Sequence, residues 1–214
     1  MKKSALALLG ILVALAVVFG WKYVFKKKTS DDGPKPAAMT VSRHSDAFNQ
    51  SVNKMLEAYY RLSEAFVNWD TAAVNKSADE LRILVDSLKL DEMKKDSAIY
   101  PTVESYWKTV KTELAGLRAD EEIYEKRESL NFLSQQLFDL LRTIKYDAAK
   151  VYYQECPMAL NNYESSAFWL STSGQDDDRR NPYLGLYDPK YGKAMLICGA
   201  TRDSIHVAEQ PGRN

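Results

Sequence analysis

Between residues 44 and 150, apolar side chains recur at spacings of three and four through four successive stretches. That spacing lines one face of an α-helix, which turns once every 3.6 residues, and scatters the same residues over both faces of a strand. Phe48, Val52, Met55, Tyr59, Leu62 and Phe66 form the first stripe. Asp70 reads as the N-cap of a second helix carrying Val74, Ala78, Leu81, Val85 and Leu88, which ends in the charged stretch Asp91 to Asp96. Pro101 suits the first turn of a third, striped by Val103, Trp107, Val110, Leu114 and Leu117. The fourth runs from about Glu121 to Tyr146 with Ile123, Leu130, Leu133, Leu137, Leu141 and Ile144 inward. Four amphipathic helices on short links predict a mainly α fold, an antiparallel four-helix bundle over residues 44–150. The aromatic residues of the stripes, Tyr59, Phe66 and Trp107, are assigned to its core.

The two ends of the chain differ from this middle. Residues 151–214 hold more than half of the nine glycines and seven prolines, too many breakers for long helices, and are expected to form an irregular C-terminal cap packed on the bundle. Pro157 should hold Cys156 extended, and Asn181-Pro182-Tyr183 and Asp188-Pro189 are turn signals. At the other end, Ala5 to Phe25 is almost wholly apolar, with Lys2 and Lys3 before it and Lys26, Lys27 and Lys28 after it. A helix needs about 20 apolar residues to span a bilayer, so residues 4–25 are expected to cross a membrane once. Trp21, Tyr23 and Phe25 close the run as interfacial aromatics, which favours an uncleaved anchor over residues 1–28. A polar, proline-containing tether, residues 29–43, follows. The lysines on both flanks leave the orientation open.

Charge excludes one class of partner. The 29 basic and 29 acidic residues cancel, so no overall field draws in nucleic acid. Catalytic signatures are missing as well: there is no nucleophile elbow, phosphate-binding glycine loop or dinucleotide fingerprint, and an enzyme is not expected. Asp176-Asp177-Asp178-Arg179-Arg180 lacks calcium-loop spacing and reads as a solvated turn in which arginines neutralise aspartates. Neither His44 nor His206 sits in a zinc motif, although His206 could approach Cys198 as a nitrogen ligand.

The sulfur-bearing residues are more informative. Cys156 is followed by Pro157 and Met158, and Met195 precedes Cys198 by three positions. If the two segments meet, they place two thiols and two thioethers around one point, a donor set that selects Cu(I) over harder ions. Cys156, Met158, Met195 and Cys198 are therefore the candidate metal ligands. The same proximity would equally allow a Cys156–Cys198 disulfide closing a loop of about 40 residues, worth roughly 3 to 4 kcal/mol. On the residues alone, the disulfide or simple packing stands ahead of the metal. Gly199 fits a helix end after Cys198, and in such a turn Met195 and Cys198 share a face.

The ordered series Tyr152-Tyr153-Gln154-Glu155-Cys156-Pro157-Met158, Trp169-Leu170-Ser171, Asn181-Pro182-Tyr183 and Met195-Leu196-Ile197-Cys198-Gly199, preceded by Arg127-Glu128-Ser129-Leu130, resembles the bacterial domain-of-unknown-function 3347 family over about residues 45 to 205. The resemblance implies an exported or membrane-anchored protein of Gram-negative bacteria with its body in the periplasm. Similar domains are fused to adaptor subunits of heavy-metal efflux pumps, so it also implies efflux components as partners and raises copper as a cofactor. It supplies no catalytic residue. Glu155 departs from the family pattern, standing where members often carry histidine.

Overall fold

The computed structural model describes residues 42–206, so the expected anchor and nearly all of the tether lie outside the described residues. Within them no helix is long and apolar enough to cross a membrane. Four α-helices, α1 (Asp46–Val67), α2 (Thr71–Asp86), α3 (Tyr100–Ala119) and α4 (Ile123–Thr143), occupy the stretches where the stripes predict them. Asp70 caps α2 by accepting the Ala73 N–H at 2.9 Å, and Pro101 lies in the first turn of α3. The stripes point inward: Phe48, Tyr59, Phe66, Leu81, Val110, Leu117, Leu133 and Leu137 are all fully buried. Trp107 is only partly buried and donates its indole N–H to the Val85 carbonyl at 2.8 Å.

The charged stretch after α2 is not a plain terminator. It forms a 3-10 turn, Leu90–Lys95, whose Glu92 reaches the start of α1 and accepts the Ser45 N–H at 3.1 Å and the Ser45 hydroxyl. His44 is held in the same corner by Glu92 at 3.2 Å and the Ile144 carbonyl at 2.8 Å, so it is a structural bracket rather than a side chain without partners. At the α3–α4 link the buried Lys126 ammonium donates to the Leu117 and Asp120 carbonyls, closing the C-terminus of α3.

The C-terminal segment departs from the expected irregular cap. Strands β1 (Val151–Leu160), β2 (Ser165–Ser171) and β3 (Ala200–Ile205) form an antiparallel sheet in the order β2-β1-β3. β2 packs on α4, and Val151, Cys156, Ala167, Trp169 and Leu170 join the helical side chains in one continuous core. The strands escape sequence reading because their alternation is broken: β1 slips register against β3 between Tyr153 and Gln154 and against β2 between Cys156 and Leu160. Each slip moves the buried face and blurs the period of two that marks a strand.

The acidic turn is likewise more than solvated. Arg179 is buried and donates to Asp176 at 2.5 Å, to Gln154 Oε1 at 3.2 Å and to the Ile197 carbonyl at 3.2 Å. Gln154, also fully buried, uses its amide on Ser171 and Ser173 and its oxygen on Arg179 and Thr201, which ties the turn to the sheet. Arg180 grips Glu64 of α1 through two hydrogen bonds, at 2.7 and 2.5 Å.

Candidate functional site

Antiparallel pairing of β1 with β3 sets Ala200 opposite Glu155, and this register brings Cys198, just upstream of β3, alongside Cys156. Their Cα atoms are 5.6 Å apart and the two sulfurs are joined as a disulfide, across a sequence separation of 42. Cys198 ends a turn that begins with the 3-10 segment Gly192–Met195, its N–H donating to the Met195 carbonyl at 3.1 Å. Gly199 has φ +132°, and a Cβ there would fall 2.5 Å from the Glu155 carbonyl oxygen and 3.0 Å from the Trp169 ring. Only glycine lets the chain turn from the cysteine into β3 this close to β1. Asn181 secures the turn from the other side, its N–H donating to the Leu196 carbonyl at 2.8 Å and its side-chain amide to the Cys198 carbonyl at 3.3 Å.

The four sulfur-bearing residues are not placed alike. Cys156 is fully buried and Met195 nearly so, whereas Met158 is 38% exposed. Two residues apart on a regular strand, Cys156 and Met158 would share a face. Pro157 and the register slip after Cys156 break that alternation and leave Met158 towards solvent. His206 is exposed at the end of β3 with its Nε2 on the Ser204 hydroxyl at 2.6 Å. Glu155 pairs with Arg202. No group of three or more His, Cys, Asp or Glu side chains suited to a metal ion occurs among the described residues. As a disulfide, the cysteines offer no thiolate, so the oxidised donor set does not fit Cu(I).

A second locality lies where the end of α1, the first turns of α4, the tip of the β1–β2 hairpin and the loop after β2 converge around a pocket of about 350 Å³. Its cationic group is Arg127, 2% exposed. The guanidinium lies over the Trp69 ring, 4.0 Å from its centroid, and 5.4 Å from that of Tyr124. Nε and Nη2, the donors along one edge of the group, are buried with no hydrogen-bond partner among the described residues. Burial pushes the guanidinium down to about 10, which leaves it protonated at neutral pH.

The backbone around this pocket is unusual. Trp69 has φ 54°, and Asn161, Asn162 and Tyr163 follow one another at 51°, 55° and 73°, in the left-handed region that side chains other than those of glycine and asparagine avoid. Trp69 sits where a helix normally ends on glycine: its own N–H donates to the Phe66 carbonyl and that of Asp70 to the Ala65 carbonyl, both at 3.1 Å. The indole is then fixed by donating to the Leu184 carbonyl at 3.1 Å. Tyr163 is held by its hydroxyl on Asp188 at 2.9 Å, and Asp188 also accepts the Lys190 and Tyr191 N–H groups.

Sequence reading passes over this locality, since Arg127 enters it only among the residues that carry the family resemblance. One signal was available. Arg127 lies four positions after Ile123 and three before Leu130, on the inward stripe of α4, where a charged residue must find a special setting.

Residues 55–148 match the family model described as a protein of unknown function, DUF3347. The match lies on the helices and includes Arg127, while the sheet and both cysteines fall beyond it. No curated protein and no solved structure matches the chain. Residues 55–148 thus form a domain of the DUF3347 family.

Proposed function

We propose that this chain is a membrane-anchored periplasmic binding module, without enzymatic activity, whose mainly helical, disulfide-fastened body is displayed from the inner membrane by residues 4–25. The observation that carries this reading is the Cys156–Cys198 disulfide. Such bonds persist in oxidising compartments and are rare in the reducing cytosol, which supports an exported body where the flanking lysines leave the orientation open. The bond also has a structural purpose, since it fastens the turn that starts β3 to the central strand of the sheet.

Blocking free thiols in intact cells with a membrane-permeant alkylating agent, before lysis and reduction, tests the proposal. Cys156 and Cys198 should escape labelling until reductant is added, and an alkaline phosphatase fusion at the C-terminus should be active. Labelling of both thiols before reduction, or an inactive fusion, would place the body in the cytoplasm and sink the reading.

Copper handover within heavy-metal efflux or homeostasis is the second reading, and it concerns the reduced chain. Its support is the meeting of Cys156 and Cys198, with Met195 buried in the turn that leads into Cys198. Competition of the reduced chain against a Cu(I) chelator tests it. Binding no tighter than that of the Cys156→Ser, Cys198→Ser double variant excludes it.

A further inference from the structure

A buried guanidinium with one bare edge is costly unless something completes it, because an unsatisfied charged donor forfeits its hydration without gaining a partner. Arg127 is in that position. Trp69 and Tyr124 interact with its π-faces, but stacking leaves the in-plane N–H groups unused. Nε and Nη2 are neighbouring donors pointing the same way, the fork that accepts both oxygens of a carboxylate side-on. The donors are unpartnered, and the residue lines a pocket of about 350 Å³, at the small end of the range for organic ligands.

The rest of the lining narrows the ligand. Trp69, Tyr124, Tyr163, Leu160 and Leu184 provide aromatic and aliphatic walls, and Glu128 and Asp188 are the acids present. With the Lys190 ammonium 5.1 Å from the Tyr163 ring centroid, two cations offset the two acids, and this balance suits a single negative charge better than a dianion such as a phosphate monoester. From this geometry we infer that the pocket binds an apolar or aromatic monocarboxylate, its body against Trp69 and Tyr163 and its carboxylate paired with Arg127, whose enclosed Nε and Nη2 edge a side-chain shift opens to the fork. The carboxylate could come from a small free acid or from the carboxyl end of a peptide, and both present the same group. The left-handed backbone at Trp69 and Tyr163 fits this role, since strain of this kind concentrates where side chains must be held for a ligand. The inference rests on neither the membrane anchor nor the fate of the cysteines.

Calorimetric titration of the full chain in detergent micelles, with empty micelles as the blank, tests it with two pairs of probes: phenylacetate against phenylacetamide, and N-acetyl-phenylalanine against its amide. In each pair only the carboxylate is altered, so the comparison needs no variant and survives if Arg127 proves essential for folding. At least one acid should bind tenfold or more tightly than its amide, and the tighter acid identifies the source, free acid or peptide end. Arg127→Gln should remove that preference, and Arg127→Lys should keep only part of it because an ammonium cannot make the fork. Equal binding of acid and amide in both pairs, no binding of any probe, tighter binding of phenyl phosphate, or an undiminished preference in folded Arg127→Gln would each overturn the assignment.

Discussion

The hydroxyls of Tyr59 on α1 and Ser134 on α4 meet at 2.7 Å in the interior, and proton counting orders the whole chain of bonds around them. Ser134 spends its hydrogen on the Leu130 carbonyl at 2.7 Å, so Tyr59 donates to Ser134. The Tyr59 oxygen in turn accepts the Leu170 N–H of β2 at 3.1 Å. Burial pushes the Tyr59 phenol up to about 12, which keeps it a donor throughout the physiological range. One side-chain oxygen thereby ties α1, α4 and β2 together.

Tyr59→Phe removes that oxygen and leaves the Leu170 N–H buried without an acceptor. The expected loss is about 1 to 3 kcal/mol, the desolvation cost of one unsatisfied buried group. Urea unfolding followed by circular dichroism measures it. Phe should fill the same space, so a loss near zero would mean that water or a shifted strand satisfies the Leu170 N–H.

Reduction of the Cys156–Cys198 bond frees a loop spanning 42 positions and should lower stability by about 4 kcal/mol on the chain-entropy relation. The effect should fall chiefly on the sheet. Hydrogen exchange with and without reductant is expected to show β3 and the Met195–Cys198 turn losing protection while the interior of α2 and α3 keeps it. Uniform loss across the helices would show that the fastening supports the whole body.

At Trp69 the backbone and the side chain pull in opposite directions. Trp69→Ala keeps the φ 54° backbone with a side chain that dislikes it, whereas Trp69→Gly relieves it. Both lose the stack on Arg127 and the hydrogen bond to Leu184, so the glycine variant should be the more stable of the two by about 1 kcal/mol. Thermal melts of the pair give the difference directly. The reverse order would mean that the helix end relaxes out of the left-handed region once the indole is gone.

Glu92 supplies an acid-sensitive contact at the start of α1. Burial raises its carboxyl, but the hydrogen bonds from the Ser45 hydroxyl and N–H and from His44 together outweigh it, and the group titrates below its ordinary 4.5. A carboxyl whose folded-state value is depressed contributes stability above its unfolded value and loses that contribution as pH falls through the folded one. Glu92→Gln should therefore be less stable than the parent at neutral pH, with the gap closing below pH 4.5. Denaturant midpoints across pH 3 to 7 would reveal it, and a gap independent of pH would assign the effect to packing alone.

The four helices could be read from the sequence because each carries its own evidence: a repeating apolar stripe, Asp70 before one helix and Pro101 inside another. These are local signals that depend on residues within a few turns of each other. The sheet and the pocket are of another kind. β1 is half-buried on both sides of two register slips, so its apolar residues follow no single period until β2 and β3 lie against it. Arg127 shows only a charge on an inward stripe until α1, α4, the hairpin tip and the loop after β2 close around it.

The sequence by itself determined that residues 44–150 are helical, that an apolar run of anchor length precedes them, and that two cysteines stand in matching settings. Tertiary structure alone decided that those cysteines pair as a disulfide between β1 and the turn that leads into β3, that Met158 turns towards solvent while Met195 is buried, and that one arginine edge is enclosed without a partner. The physical reason is range. Helical periodicity arises from contacts within a few residues, whereas strand register, sulfur pairing and the desolvation of a guanidinium arise from groups tens of residues apart whose meeting no local pattern encodes.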